Sequence, residues 1–152
     1  MLVNLAVPDF TAPVTGGRSF RMSEARGRRL VIYFYPKDDT PGCTTEGAAF
    51  RDHHAQFQAL DCDILGVSRD SLASHERFKA KMAFPFDLLS DTDEAVCTLF
   101  GVIRLKNMYG KQVRGIERST FLVDADGVVR REWRGVKVPG HVEEVLEALK
   151  SL

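Results

Sequence analysis

Apolar runs and helical spacings of apolar residues alternate along the first two thirds of this chain. The run at 30–35, Leu-Val-Ile-Tyr-Phe-Tyr, is apolar throughout and ends at Pro36, which is typical of a strand covered on both faces in a parallel sheet. Apolar residues then recur at helical spacing from Thr40 to Leu60, with Thr40 as the N-cap and Pro41 as the first helical residue. Similar patterns predict the next elements: a strand over 63–68, a helix over 71–82, a strand over 86–89 and a helix over 94–100.

The last third of the chain predicts a β-hairpin followed by a helix. Two β-rich segments, 119–123 and 128–133, flank the turn Asp-Ala-Asp-Gly at 124–127. Over 141–149 the apolar residues form one stripe at helical spacing. Strand–helix alternation followed by a hairpin and a helix predicts an α/β fold, a mixed central sheet flanked by helices. No repeat or compositional shift marks a boundary, so residues 1–152 are expected to form a single domain.

Composition and charge exclude several classes of partner. Of the 152 residues, 44% are hydrophobic and 28% charged, and 21 basic residues balance 21 acidic ones. A net charge of zero offers no basic surface for nucleic acid and no polybasic membrane signal. The N-terminus lacks the basic and long apolar regions of a secretion signal, and no apolar run is long enough to span a membrane. We therefore expect a cytoplasmic protein with no nucleic-acid or membrane partner.

Three cysteines, Cys43, Cys62 and Cys97, are an odd number and contain no C-x-x-C pair. This pattern fits neither a disulfide framework nor a zinc site, and at least one thiol must be free. The adjacent histidines at 53–54 point to different helix faces, while His75 and the histidine at 141 are isolated in the sequence. No phosphate-binding loop, dinucleotide fingerprint or G-x-S-x-G motif occurs. The expectation is that the protein uses no metal and no cofactor.

Cys43 is the cysteine whose position favours chemistry. It falls in the first turn of the helix predicted after the strand at 30–35. Backbone N–H groups in that turn have no helical acceptor, and the helix dipole is positive there, so both effects favour a thiolate. A lone cysteine is most often a small buried apolar residue. The N-terminal position favours a reactive thiol over that interpretation.

Residues 34–46, Phe-Tyr-Pro-Lys-Asp-Asp-Thr-Pro-Gly-Cys-Thr-Thr-Glu, contain the complete motif P-x-x-x-T-x-x-C. This segment resembles the peroxidatic loop of the peroxiredoxins and is most similar to the peroxiredoxin Q branch, also called bacterioferritin comigratory protein. The resemblance extends over nearly the whole chain, through Val-Pro-Asp-Phe at 7–10, Asn-Met-Tyr-Gly-Lys at 107–111 and Gly-Ile-Glu-Arg-Ser-Thr-Phe at 115–121. It implies a thioredoxin fold with the N-terminal extension of peroxiredoxins, and a thiol peroxidase that reduces hydrogen peroxide and organic hydroperoxides.

The resemblance also implies a role for each residue of the motif. Cys43 would be the nucleophile that attacks the O–O bond and becomes a sulfenic acid. Thr40 would direct its hydroxyl to the thiolate and the bound peroxide, and Pro36 would shield the pocket from water. Arg118 would stabilise the thiolate and the charge that develops on the leaving oxygen. Taken alone, Arg118 would be interpreted as a surface charge; its occurrence together with the loop gives it this role.

Two neighbours complete the predicted site. Glu46 would orient Arg118, and the backbone N–H groups of Gly42 and Cys43 would form the rest of the cradle around the sulfur. Pro36 and Thr40 also have a structural interpretation, since a proline can end a strand and a threonine can cap a helix. Both interpretations are compatible with catalysis.

The chain departs from its branch at the resolving cysteine. Many members carry it five residues after the nucleophile, where this chain has Ala48, and others carry it on the next helix, near residues 78–79, where this chain has no thiol. Cys62 opens a predicted strand and Cys97 lies in a predicted packed helix. The favoured mechanism therefore uses one cysteine. An external thiol, which is thioredoxin, glutaredoxin with glutathione, or another low-molecular-weight thiol, would reduce the sulfenic acid of Cys43.

Three alternatives remain open at this point. Cys97 or Cys62 could act as the resolving thiol in a two-cysteine mechanism. The same Cys43 could serve a redox sensor or holdase with little turnover. A thioredoxin-like thiol–disulfide exchanger is a third possibility, against which the missing C-x-x-C argues. The branch implies a monomer, with a weak homodimer through the active-site face as the alternative.

Overall fold

The computed structural model describes residues 1–152 as a seven-stranded sheet with helices on its faces and a separate two-stranded hairpin. The strands are β1 (Thr11–Val14), β2 (Arg18–Arg21), β3 (Arg29–Phe34), β4 (Cys62–Ser68), β5 (Asp87–Ser90), β6 (Ile103–Met108), β7 (Lys111–Ile116), β8 (Ser119–Val123) and β9 (Val129–Arg134). The helices are α1 (Pro41–Asp52), α2 (His54–Ala59), α3 (Leu72–Met82), α4 (Ala95–Phe100) and α5 (His141–Lys150). None of these helices combines the length and the apolar composition needed to cross a membrane.

The large sheet is mixed, as the sequence predicted. Its strand order is β2-β1-β5-β4-β3-β8-β9, in which β3, β4 and β5 run parallel and the other neighbours pair antiparallel. The predicted hairpin is present as β8 and β9. Because β3, β4 and β5 are parallel, their carboxyl ends share one edge of the sheet, and the loops that follow them meet there.

Alternate residues of β3 supply two separate apolar layers, one on each face of the sheet. Val31, Tyr33 and the following Tyr35 contact the layer formed by α1, α2, α3 and α5. Ile32 and Phe34 contact the layer that contains α4. Both faces of the strand are thus covered, which explains why its sequence is continuously apolar.

The predicted helix from Thr40 to Leu60 is instead two helices that break at His53. The His53 backbone leaves helical dihedrals, with φ −100° and ψ 3°, and its ring Nδ1 lies 2.8 Å from the Ala49 carbonyl oxygen. Phe50 and Phe57, on either side of the break, are both fully buried. The apolar spacing therefore continues across the break, and this is why the pattern did not reveal it.

Two hairpins had no sequence-based prediction. The pair β1–β2 has strands of only four residues each. The pair β6–β7 is exposed from residue 104 to residue 114, so it lacks the alternation of buried and exposed positions that marks a half-buried strand. Its turn is Tyr109-Gly110, and both residues have the positive φ that a tight two-residue hairpin turn requires (53° and 77°).

Candidate active site

Cys43 is the third residue of α1 and lies where the chain leaves the carboxyl end of β3. Its side chain is buried, with 2% of its surface exposed. The first helical hydrogen bond runs from the Thr44 N–H to the Thr40 carbonyl oxygen at 2.8 Å. The N–H groups of Gly42 and Cys43 precede that bond and so have no helical acceptor. They are available, together with the positive end of the helix dipole, to stabilise negative charge beside the sulfur.

Arg118, the residue before β8, brings a positive charge to the same sulfur. Strand β8 pairs antiparallel with β3, and the register Phe34↔Ser119 places Arg118 beside the end of β3. Its Nη2 lies 3.4 Å from Cys43 Sγ. A Cβ atom added at Gly42 would lie only 3.1 Å from that Nη2, so the missing side chain at Gly42 makes room for the approach.

Glu46 lies one turn after Cys43 and fixes the other end of the guanidinium. Its Oε1 accepts a hydrogen bond from Arg118 Nη1 at 2.7 Å, and the carboxylate has no solvent exposure. Its second oxygen, Oε2, is buried without a hydrogen-bond partner. Burial raises the pKa of Glu46 to about 7, although the charge and hydrogen bond of Arg118 oppose the rise.

The raised pKa of Glu46 gives a prediction for the pH dependence of stability. Between its ordinary value of 4.5 and about 7, the folded protein holds this proton and the unfolded chain does not, so the contribution to the unfolding free energy is lost as the pH rises. Glu46→Gln keeps an oxygen that accepts from Arg118 and has no charge. As the pH rises from acid to mildly alkaline values, the free energy of unfolding of the variant should therefore increase relative to that of wild type by up to about 3 kcal/mol.

Urea unfolding of both reduced proteins across this pH range measures the difference. The conservative Glu46→Asp variant, which keeps a titrating group, serves as the control. Parallel stability curves for wild type and Glu46→Gln would show that the pKa of Glu46 is not raised in the folded protein.

Thr40 and Pro36 occupy the loop before α1. Thr40 is the N-cap residue, as predicted, but its hydroxyl donates to the Lys37 carbonyl at 2.8 Å and caps no helical N–H. In this conformation the hydroxyl hydrogen is directed to Lys37 rather than to Cys43, and the oxygen lone pairs remain free to accept. Pro36 is exposed to solvent, so its shielding role stays a prediction from the resemblance.

The other two cysteines lie away from this site. Cys62 is the first residue of β4, six residues before the carboxyl end of that strand at Ser68, which corresponds to roughly 20 Å. Cys97 belongs to the apolar layer on the face of the sheet opposite to Cys43. Burial, and then the charge of Asp63, raises the pKa of Cys62 to about 12. Burial and the neighbouring Asp91 also raise the pKa of the Cys97 thiol.

A buried polar cluster beneath the loop was missed by the sequence analysis. Asp38 accepts hydrogen bonds from the Tyr35 hydroxyl at 2.6 Å and the Ser74 hydroxyl at 2.8 Å, and it pairs with His75 Nδ1 at 2.7 Å. His75 looked isolated in the sequence because its partner is 37 residues away. No local spacing could have joined the two. The one available signal was that Asp38 lies within the Cys43 loop itself.

Comparison with known proteins identifies the family of this chain. The AhpC/TSA family profile matches residues 3–132. Peroxiredoxin Bcp of Xanthomonas campestris is 54% identical over 143 residues (94% of this chain, 89% of that protein), and peroxiredoxin Bcp of Bacillus subtilis is 48% identical over 145 residues (95% and 92%). A solved structure of the Xanthomonas campestris bacterioferritin comigratory protein, described for its alkyl peroxide reduction activity, superposes with a TM-score of 0.91 at 54% identity, covering 93% of this chain and 90% of that one.

The residues matched by the profile include the loop that carries Cys43, and the identities to these relatives are well above those that show a shared fold alone. A mixed sheet flanked by helices, the predicted architecture, is also the architecture of these relatives. The chain therefore belongs to the AhpC/TSA family and, within it, to the peroxiredoxin Q (Bcp) branch of thiol-dependent peroxidases with a thioredoxin fold.

Proposed function

We propose that this peroxiredoxin reduces hydrogen peroxide and organic hydroperoxides through a sulfenic acid at Cys43, and that an external thiol reduces this sulfenic acid. The observation that carries the proposal is the contact between the Arg118 guanidinium and Cys43 Sγ at 3.4 Å, in the first turn of α1. The alkyl peroxide reduction described for the Xanthomonas campestris relative supports the choice of substrate.

The chemical step needs a thiolate and a place for charge on the leaving oxygen. The Cys43 thiolate attacks one peroxide oxygen, so that an S–O bond forms as the O–O bond breaks. Sulfur gives up two electrons, and the leaving oxygen departs as an alcohol or water once it has taken a proton. Arg118 and the N–H groups of Gly42 and Cys43 would stabilise the developing charge, and one donor of this kind contributes roughly 2.7–4 kcal/mol.

The positions of the remaining thiols favour an external reductant. A disulfide needs Cα atoms within about 7 Å of each other. Cys97 belongs to the opposite apolar layer, Cys62 lies at the far end of β4, and residue 48 is alanine. A thiol such as thioredoxin, or glutaredoxin with glutathione, would attack the Cys43 sulfenic acid, release water and form a mixed disulfide that a second thiol reduces. The cytoplasmic location and the monomeric state remain predictions from the sequence.

The intact mass of the reduced protein after one equivalent of hydrogen peroxide tests this one-cysteine mechanism. We expect a gain of one oxygen, which a sulfenic-acid trap converts into an adduct on the peptide that contains Cys43. The trap finds its target because no second thiol lies within reach to consume the sulfenic acid. Peptide mapping after alkylation of the remaining thiols identifies the modified residue.

Two results would contradict the proposal in different ways. A loss of two hydrogens with no adduct means that an intramolecular disulfide has formed, and Cys97 or Cys62 is then the resolving thiol. An adduct at Cys43 without steady-state peroxide consumption in the presence of any thiol reductant means that the protein is a redox sensor.

Excess peroxide without a trap should drive Cys43 on to the sulfinic acid, because the sulfenic acid is not protected as a disulfide.

A further inference from the structure

Asp38 lies in the loop before α1, and its buried hydrogen bonds attach this loop to the neighbouring elements. The carboxylate of Asp38 accepts from the hydroxyl groups of Tyr35 and Ser74 and pairs with His75 Nδ1 at 2.7 Å. The backbone N–H of Asp38 donates to Asp70 Oδ2 at 2.9 Å. The His75 side chain has no solvent exposure and that of Asp38 only 4%. The polar atoms of Asp38 are thus bonded to the residue that follows β3, to α3 and to the turn between β4 and α3.

Both nitrogens of the His75 ring contact buried oxygen atoms. Nε2 lies 2.9 Å from the Leu89 carbonyl oxygen, which can only accept, so this nitrogen carries a hydrogen. Burial raises the pKa of Asp38, but the hydrogen bonds from His75, Tyr35 and Ser74 outweigh burial and leave the pKa lowered. Nδ1 lies 2.7 Å from Asp38 Oδ2, so this carboxyl group holds the other edge of the ring. Both ring nitrogens are thus used in hydrogen bonds to the protein and neither is free to bind a metal, although Asp70 also lies close by.

The conformation of the loop above Asp38 needs such a support. The backbone of Asp39 lies in the left-handed region, with φ 58°, which residues other than glycine adopt infrequently. Lys81 of α3 pairs with Asp39 at 2.8 Å. Next along the chain, Thr40 donates its hydroxyl to the Lys37 carbonyl at 2.8 Å. A backbone conformation of this kind persists only where the surrounding contacts hold it. Here the residues held by those contacts, Lys37 and Asp39, are the two neighbours of Asp38 in the chain.

We propose that His75 is a positioning residue for peroxide reduction: its buried pair with Asp38 holds residues 36–40 in the conformation that aligns a bound peroxide with the Cys43 thiolate. Buried polar or ionic pairs add little net stability but can fix one geometry. Reacting groups held at the attack distance and angle account for a large part of a rate, and small displacements of them are costly. This inference rests on the proposed role of Cys43 as the nucleophile.

Two rates measured on the same proteins test the proposal. In His75→Gln and in Asp38→Asn, the second-order rate of Cys43 oxidation by hydrogen peroxide should fall about 10- to 100-fold. The rate of Cys43 alkylation by iodoacetamide, which needs no aligned O–O bond, should stay nearly unchanged. The double variant should be no slower than the slower single variant, since both changes break one pair. Ser74→Ala, which removes one donor to Asp38, should give a smaller loss of the same kind.

A matched control separates positioning from a loss of stability. Phe57→Leu removes buried volume from the same apolar layer, in α2, without touching the loop. It should lower the free energy of unfolding and leave the peroxide rate close to that of wild type. Equal losses of peroxide rate in Phe57→Leu and His75→Gln at equal stability would overturn the positioning role.

The pair of His75 with Asp38 is tested on the wild-type protein, independently of any variant. Nitrogen-15 spectra of the His75 ring should show hydrogen bonds at both ring nitrogens; a ring nitrogen free of hydrogen bonds would overturn the pair. If wild type oxidises Cys43 with peroxide and His75→Gln does so at the same rate, the inference fails and the proposed function stands. If wild-type Cys43 does not react with peroxide, the proposed function itself fails.

Discussion

Replacement of Cys43 with serine is expected to abolish peroxide reduction, with a loss of more than about 10³-fold in rate, as follows from removing the nucleophile of a covalent mechanism. A serine hydroxyl at this position is not ionised at neutral pH and has no sulfur electron pair to transfer to the O–O bond. The change is small in volume, and the side chain at Cys43 is buried in the first turn of α1, so the fold should be retained. The measurement is peroxide consumption in the presence of a thiol reductant, together with a thermal or urea unfolding curve.

The other two cysteines provide matched controls for the same substitution. Cys62→Ser and Cys97→Ser each place a hydroxyl in an apolar layer, which lowers stability, but neither residue lies at the active site. Both variants should keep most of the wild-type activity. Wild-type activity in Cys43→Ser would contradict the assignment of the nucleophile. Loss of activity in Cys97→Ser alone, without unfolding, would contradict the one-cysteine mechanism.

The sequence predicted the part of the site that is continuous along the chain. Strand β3, the loop after it and the start of α1 follow one another within residues 29–52, and each has a local signal: an apolar run, a proline-bearing loop and an N-cap with proline at the next position. Cys43 is located by that local unit alone. The part of its proposed chemistry that depends on the unpaired N–H groups of a helix start needs no distant residue.

Arg118 could not be located in this way, because it is 75 residues from Cys43 in the chain. Its position depends on the antiparallel register of β3 and β8, which pairs Phe34 with Ser119. Only the resemblance to a known family predicted it. The link between Asp38 and His75 has the same origin in sheet and helix packing, and no motif marked it. The position of Cys97 on the opposite face of the sheet from Cys43 likewise follows from packing. The number and spacing of the cysteines in the sequence do not reveal which face each one occupies.

The exposed hairpin of β6 and β7 shows a different reason for failure. Strand prediction depends on one buried face, and this hairpin has none between residues 104 and 114. The helix break at His53 was not predicted for the opposite reason, because apolar residues stay buried on both sides of it. Periodicity reports burial, and it detects secondary structure only where burial and backbone conformation change together.

Arg118→Ala is expected to give the second-largest effect, a fall of about 10²- to 10³-fold in the rate at which Cys43 is oxidised by hydrogen peroxide, comparable with the loss of an oxyanion donor. The variant removes the donor 3.4 Å from the sulfur. It also leaves Glu46 buried without its hydrogen-bond partner, so Arg118→Ala/Glu46→Met, which removes both polar partners, should recover part of the stability but not the rate. Alkylation of Cys43 by iodoacetamide at neutral pH should slow as well, because the thiolate loses its cation.

Arg118→Lys separates the contribution of charge from that of geometry. An ammonium group keeps the positive charge, but it cannot donate to Glu46 from one nitrogen and to Cys43 from another as the planar guanidinium does. If charge alone stabilises the thiolate, Arg118→Lys will recover the alkylation rate and most of the peroxide rate. If the fixed fork aligns the leaving oxygen, as the pairing with Glu46 implies, Arg118→Lys will recover alkylation while peroxide oxidation stays slow. Wild-type rates in Arg118→Ala would remove Arg118 from the mechanism, and the N–H groups at the start of α1 would then have to stabilise the thiolate alone.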